Sequence, residues 1–384
     1  MVIFRKIFLF ILIVSPLLSI TGVTEFSTGL NLASILNLPS LNPLNYAFLL
    51  FFFVLFVALN ISKSRRNLLL VGYFVLCILF FFHRYPTIYS FVGMISIFAC
   101  FLPFMKDKAG LTQLSDGEQR LLYKIYWIYI IASLVVHFYL IVSGEYYAND
   151  RMMGIFKNPN QLAFFLLAFY LMHVLKLKPS DSLFSNWIFP FLMLVLIVMT
   201  GSRSALAAMA GCFFLLPVIR QRWASFTVIL ALVGIFFVMA VVYIGTEQAI
   251  EAVSRRDSKS LESVGNMRFQ ILKEIIKESS DEEIIIGKDV SVGTNGMIHE
   301  QNKDGEGHII WLDNLVNVLM YNWGLWGILG YTAFLIVDLT RYFPVVHKDF
   351  LVVIFYTVAS FFFVLADFFP LIFLVVYLKN DESA

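Results

Sequence analysis

Long apolar runs separated by short polar connections dominate the chain. They fall at 4–20, 44–60, 67–82, 87–105, 121–143, 160–177, 186–200, 204–219, 224–245, 309–337, 349–363 and 366–378. A helix that crosses a bilayer needs about 17–25 mostly apolar residues. The pattern therefore predicts an all-α polytopic membrane protein of about twelve transmembrane helices. Asp367 and Pro370 interrupt the end of the pattern, where the last two runs could form one long broken helix. The first run follows Arg5 and Lys6 and has the outline of a signal peptide, but it is read as a retained helix, because the charge alternation downstream works with it kept.

One connection is unlike the others. Residues 246–308 hold eight basic and thirteen acidic side chains. Within them, Asn266–Ser279 sets Met267, Ile271, Leu272 and Ile275 at helical spacing against Arg268, Lys273, Glu274 and Lys277. That spacing predicts an amphipathic helix lying on the membrane surface or over the mouth of the bundle. The stretch from Gly287 to Gly307, rich in Gly and Asn, reads as a mobile loop. Three parts follow: a bundle over 1–245, the long loop over 246–308, and a closing helical part with a cytoplasmic tail over 309–384.

Composition agrees with this layout. Hydrophobic residues make up 60% of the 384, charged residues 14%, and Phe alone occurs 41 times; the mean hydropathy is +0.82. Soluble domains run about 45–50% apolar and about 25% charged. A soluble enzyme, a nucleic-acid binder and a disordered scaffold are thereby excluded. The net charge of +2 argues for no polyanionic partner. Cys77, Cys100 and Cys212 all sit inside apolar runs, so no disulfide framework or CxxC metal site is expected, and no cofactor.

Where the charges sit gives the orientation. With the N-terminus inside, the inner connections carry Arg5, Lys6, Lys63, Arg65, Arg66, Lys106, Lys108, Arg120, Lys124, Lys176, Lys178, Arg220, Arg222, Arg341, Lys348 and Lys379. The short outer ones carry only Arg84, Arg151, Lys157 and Arg203. Sixteen against four satisfies the positive-inside rule. Both termini are expected in the cytoplasm and the long loop on the outer face of the inner membrane.

Four polar clusters then share the outer side. The first is Arg151-Met-Met-Gly154-Ile-Phe-Lys157-Asn158-Pro159-Asn160-Gln161. Asn before Pro is an ordinary helix start, but an Arg, a Lys and these amides exceed what a cap requires. The second is Thr200-Gly-Ser-Arg203-Ser204. Its Arg could snorkel to headgroups, yet it opposes the charge gradient. The third is Arg255-Arg256 with Arg268, where solvated loop charge is the plain alternative. The fourth is Trp311-Leu-Asp313-Asn314, with Asn317 and then Gly324, Gly327 and Gly330, a helix-packing face. A carboxylate so near hydrocarbon is a functional candidate by default. His299 and His308 flank it as alternatives for proton transfer. Arg forks suit a diphosphate, and a water-facing carboxylate can take a hydroxyl proton. Together the clusters describe a site holding a lipid-linked diphosphate and moving its sugar.

The order Arg151…Gly154-Ile-Phe-Lys-Asn158-Pro159-Asn160, Thr200-Gly-Ser-Arg203-Ser204, a large outer loop with Arg268, then Asp313-Asn314 before a glycine-bearing helix resembles the O-antigen polymerase and O-antigen ligase superfamily. The resemblance lies in the order of short motifs and covers nearly the whole chain. The ligase branch commonly has His-Asn where this chain has Asp313-Asn314, which favours the polymerase branch. The resemblance implies a metal-independent membrane glycosyltransferase. Such enzymes transfer a growing glycan from undecaprenyl diphosphate to a new lipid-linked repeat unit at the periplasmic face. On the chemistry of the four clusters, Asp313, Arg268 and Arg203 are the expected catalytic residues. Arg151, Asn158, Asn160, Arg255, Arg256, Asn314 and His308 would bind substrate. The resemblance further implies a chain-length regulator and a flippase as partners in the pathway. An O-antigen ligase acting on lipid A core and a lipid-linked oligosaccharide flippase or transporter are the alternatives. Transporters usually place polar groups at the membrane midplane, whereas these clusters sit at the rim.

Overall fold

The computed structural model describes residues 2–18, 65–84, 100–105, 107, 110–143, 151–156, 159–176, 188–202, 205–212, 271–288, 297–301, 307–311, 315–342 and 372–378, with residues 50, 51, 54, 55, 58 and 59. These are helical apart from turns and one two-stranded hairpin. The predicted spans at 224–245 and 349–363 lie outside the described residues.

Pro16 governs how the first helix is held. It stands inside α1 (Val2–Leu18) and has no N–H to give the carbonyl of Leu12, its usual partner four residues back. That carbonyl instead accepts the hydroxyls of Tyr126 at 3.0 Å and Ser15 at 3.3 Å. The next carbonyl, of Ile13, accepts the Tyr129 hydroxyl at 2.7 Å. Both tyrosines belong to α3 (Asp116–Val142), and Glu118 in its first turn lies 3.1 Å from Arg5 Nε. Helices α1 and α3 therefore run parallel. The start of α3 is fixed by a capping box: the Ser115 hydroxyl accepts from the Glu118 N–H, and the Glu118 carboxylate accepts from the Ser115 N–H at 2.7 Å.

At the centre stands α4 (Pro159–Lys176), in which every residue from Gln161 to Val174 is buried. An apolar helix with no polar face belongs inside a larger assembly. It runs antiparallel to α3, pairing Tyr123 with His173 (Oη to Nδ1, 2.9 Å) and Tyr129 with Phe165. It also runs antiparallel to α5 (Phe189–Thr200), whose Phe189 ring lies 4.0 Å from that of His173.

A second node joins α2 (Arg65–Arg84) to α7 (Leu315–Tyr342). The Tyr73 hydroxyl donates to the Trp326 carbonyl at 3.1 Å, and the Trp326 indole N–H donates to Cys77 Sγ at 3.2 Å. A Cβ on Gly330 would overlap the Tyr73 phenol. The two helices thus cross closely and in opposite directions. Phe74, Phe101, Trp323, Tyr331 and Phe334 complete an aromatic packing of edge-to-face and stacked pairs around them.

The outward faces are also apolar. On α3, Leu121, Ile128, Ile131, Val135, Phe138 and Val142 form one exposed stripe at three-, four- and seven-residue steps. Among the described residues one helix, Asp116–Val142, is long and apolar enough to cross a membrane; Asn67–Leu79, Pro159–Leu175 and Phe189–Thr200 are shorter apolar helices.

The long segment departs from its sequence reading in three places. Helix occupies 271–277, with Ile275 buried in the core and Lys273, Glu274 and Lys277 exposed; the amphipathic face is as expected where described. A separate helix α6 (Asp281–Ile286) follows, started by a Ser280–Glu283 capping box. The stretch read as mobile contains strand β1 (Met297–Gln301), paired antiparallel with β2 (Gly307–Trp311), Glu300 opposite His308. Consequently the helix expected from 309 begins at Leu315. Ile309, Ile310 and Trp311 have residue types that favour strands, and pairing with β1 gives their backbone a ladder in place of a helix.

Helix α7 is itself broken. Gly324 has φ 58° and ψ −150°, outside the helical region and accessible chiefly to glycine. Against this break lies the end of α6: a Cβ on Gly324 would overlap the carbonyls of Ile284 and Ile285, and one on Gly287 would overlap the backbone of Asn322 and Trp323. The backbones touch because both positions lack side chains. Gly327 has a third role, leaving room for Trp323 of its own helix. The three glycines of α7 do not form one helix-packing face as the spacing predicts: Gly330 lies against α2 and Gly324 against α6.

Candidate functional site

Of the ten residues assigned to the site from sequence, Arg151 and Asn160 have described side chains. His308 is placed by its backbone, opposite Glu300 in the hairpin. Asp313, Arg268, Arg203, Asn158, Arg255, Arg256 and Asn314 lie outside the described residues.

Arg151 joins the first two polar clusters. Its Nε donates to the Thr200 carbonyl at 2.8 Å, and its Nη2 donates to Asn160 Oδ1 at 2.8 Å and to the Gly201 carbonyl at 3.4 Å. The acceptors are available for a physical reason. Gly201, at φ 57° and ψ 32°, is the left-handed residue that ends α5, and its N–H returns to the Val198 carbonyl at 2.8 Å. The last carbonyls of the helix, at the negative end of its dipole, have no helical donor. A guanidinium supplies both hydrogen bonds and charge. The Met152 N–H adds a backbone bond to the Met199 carbonyl at 3.0 Å. The Thr200 hydroxyl, itself buried, donates to the Ile197 carbonyl and accepts from the Ser202 N–H. The turn leading into Arg203 is therefore fixed from three sides.

The loop bearing Arg151 rests on α3. Gly154 has φ 59°, and a Cβ there would overlap Ser133. The Ser133 hydroxyl donates to the Tyr129 carbonyl at 2.8 Å and accepts from the Ile155 N–H at 3.5 Å. One turn further along α3, His137 is buried, and its neighbours Val136 and Leu140 pack on Met153. Sequence reading missed Ser133 and His137. The signal that could have found them is two polar residues four apart, hence on one face, in an otherwise apolar helix.

The fourth cluster leads into α7, whose Asn317 and Asn322 are buried on either side of one helical turn. Gln161, beside the Asn160 that Arg151 holds, is buried as well. A buried amide in an apolar helix is costly unless it is hydrogen-bonded. Among the described residues no three His, Cys, Asp or Glu side chains stand together as a metal site. No protein-family model, no curated protein and no solved structure matches the chain.

Proposed function

We propose that the chain is a polytopic membrane glycosyltransferase that polymerises lipid-linked oligosaccharide repeat units at the outer face of a bacterial inner membrane. The observation that carries this reading is the Arg151 tie, because two clusters 40 residues and more apart in sequence, both assigned to the outer rim, meet at one place. Helix directions support the twelve-span layout. Helices α1 and α3 are parallel, α3, α4 and α5 alternate, and α2 opposes α7, each as inner and outer charges require. The apolar stripe on the outside of α3 is what a lipid-facing surface needs. The motif order shared with the O-antigen polymerase and ligase superfamily supplies the reaction class.

In this reading the acceptor hydroxyl of a new repeat unit attacks the anomeric carbon of the growing glycan. The bond from that carbon to the diphosphate oxygen breaks, and undecaprenyl diphosphate departs with the electron pair. Arg203 and Arg268 neutralise the departing charge, Asp313 takes the hydroxyl proton or holds an arginine in place, and Arg151 keeps the turn before Arg203 in position. The transfer passes through an oxocarbenium-like state. Deletion of the gene, with gel analysis of surface polysaccharide, tests the reading. Loss of the long ladder with a single repeat unit still attached is the expected result. Loss of every repeat would overturn it in favour of a ligase or flippase.

A further inference from the structure

The break in α7 is held by an atom from outside the helix. In a continuous α-helix the Tyr321 carbonyl would accept the N–H of Leu325, four residues on. Instead the Lys288 N–H donates to the Tyr321 carbonyl at 2.6 Å. Gly324 stands between, in a conformation that no helix contains. Lys288 reaches this carbonyl because Gly287, at φ 85°, turns the chain at the end of α6 and passes against Asn322 and Trp323. The Lys288 ammonium also lies 5.8 Å from the centre of the Tyr321 ring. Upstream, Ile275 anchors the same segment in the core. Beyond the break, α2 grips the other half of α7 through Trp326 and Gly330. The helix is thus gripped on both sides of Gly324, by α2 on one and by the long segment on the other.

We propose that Asp281–Lys288 is a backbone plug. Its Lys288 N–H takes the acceptor that would otherwise close α7 into a straight helix, and so sets the angle of the outer half of that helix, the half that Asp313-Asn314 leads into. Gly287, Lys288 and Gly324 are positioning residues. The plug couples the long outer segment to the site by competition for one carbonyl. The structural half of this inference is independent of the transferase reading; the functional half rests on it.

The test uses the full-length protein in lipid nanodiscs. Spin labels at Val316 and Thr332, sixteen residues apart, report the bend. A continuous helix would separate their backbones by about 24 Å. Lys288→Ala keeps the N–H and removes the side chain; it should leave the label distance as in the parent and polymerisation within about twofold. Lys288→Pro removes the N–H. It should shift the distance to that of the straight helix and slow transfer at least tenfold, with KM for the lipid-linked donor little changed. An unshifted distance in Lys288→Pro overturns the plug. A shifted distance with undiminished polymerisation leaves the plug standing and overturns its role in transfer. Should Lys288→Pro not fold, hydrogen exchange on the parent protein decides. The Lys288 amide should be protected together with the outer turns of α7, and exchange at the rate of an unstructured peptide overturns the proposal.

Discussion

Arg151 donates to Asn160 with the same Nη2 that reaches the Gly201 carbonyl, so one guanidinium spans the start of α4 and the end of α5. Its loss should be felt at both helix ends. Arg151→Ala leaves the buried Thr200 carbonyl without its donor, at a cost of about 1–3 kcal/mol, and should lower thermal stability in detergent together with chain length of the product. Arg151→Lys keeps the charge but replaces a fork with a point donor. It should retain most of the stability and only part of the activity. Equal stability and activity in the parent and both variants would remove Arg151 from the site.

The Tyr126 hydroxyl gives a second expectation. Tyr126→Phe keeps the ring among Phe165 and Phe169 and removes only the donor to the Leu12 carbonyl. Inter-helical bonds of this kind are worth about 0.6–2 kcal/mol in membranes. A destabilisation in that range, read from the unfolding midpoint in detergent, is expected. Replacing Pro16 with Ala in the same background should restore most of it, because the helix then supplies its own N–H.

Orientation is directly measurable. Single cysteines at the exposed positions Ser280 and Glu282 should react with a membrane-impermeant maleimide added to intact spheroplasts. Cysteines at Asp116 or Arg120 should react only after permeabilisation. The native Cys77, Cys100 and Cys212 are all buried and should give little background. The reverse labelling pattern would overturn the layout.

Asp313 separates two roles. Asp313→Asn keeps the shape and removes basicity and charge. If Asp313 is the base, purified enzyme with synthetic lipid-linked repeat units should lose about two to four powers of ten in transfer rate with donor binding intact. If it orients an arginine, donor affinity should weaken with a smaller fall in rate. Near-normal polymerisation would exclude both and turn attention to His308 or His299, which stand in the paired strands β2 and β1.

What the sequence revealed follows from which forces are local. The span of α3 was legible because its cap, Ser115 with Glu118, and its apolar length are both written within one short window. Arg151, Asn160 and Thr200 stood out as polar residues against an apolar background. That Arg151 would meet Thr200 was not, because the pairing depends on α4 and α5 packing antiparallel and on Gly201 turning its carbonyl outward. The hairpin at 297–311 was missed for a related reason: a strand of five residues gains its stability from a partner, not from its own pattern. Gly324 looked like one member of a spaced triplet; what distinguishes it is the backbone of Ile284 and Ile285, about 40 residues earlier.

Pro16 also imposes an order in time. The carbonyl it leaves open is synthesised 114 residues before the tyrosine that covers it. At roughly 5–20 residues per second, the first helix waits on the order of ten seconds with only the Ser15 hydroxyl, 3.3 Å away, on that oxygen. Until α3 emerges, α1 is a hydrophobic segment whose Leu12 carbonyl lacks the Tyr126 donor. The proline therefore leaves the first helix to be completed by a residue from the fifth apolar run of the chain.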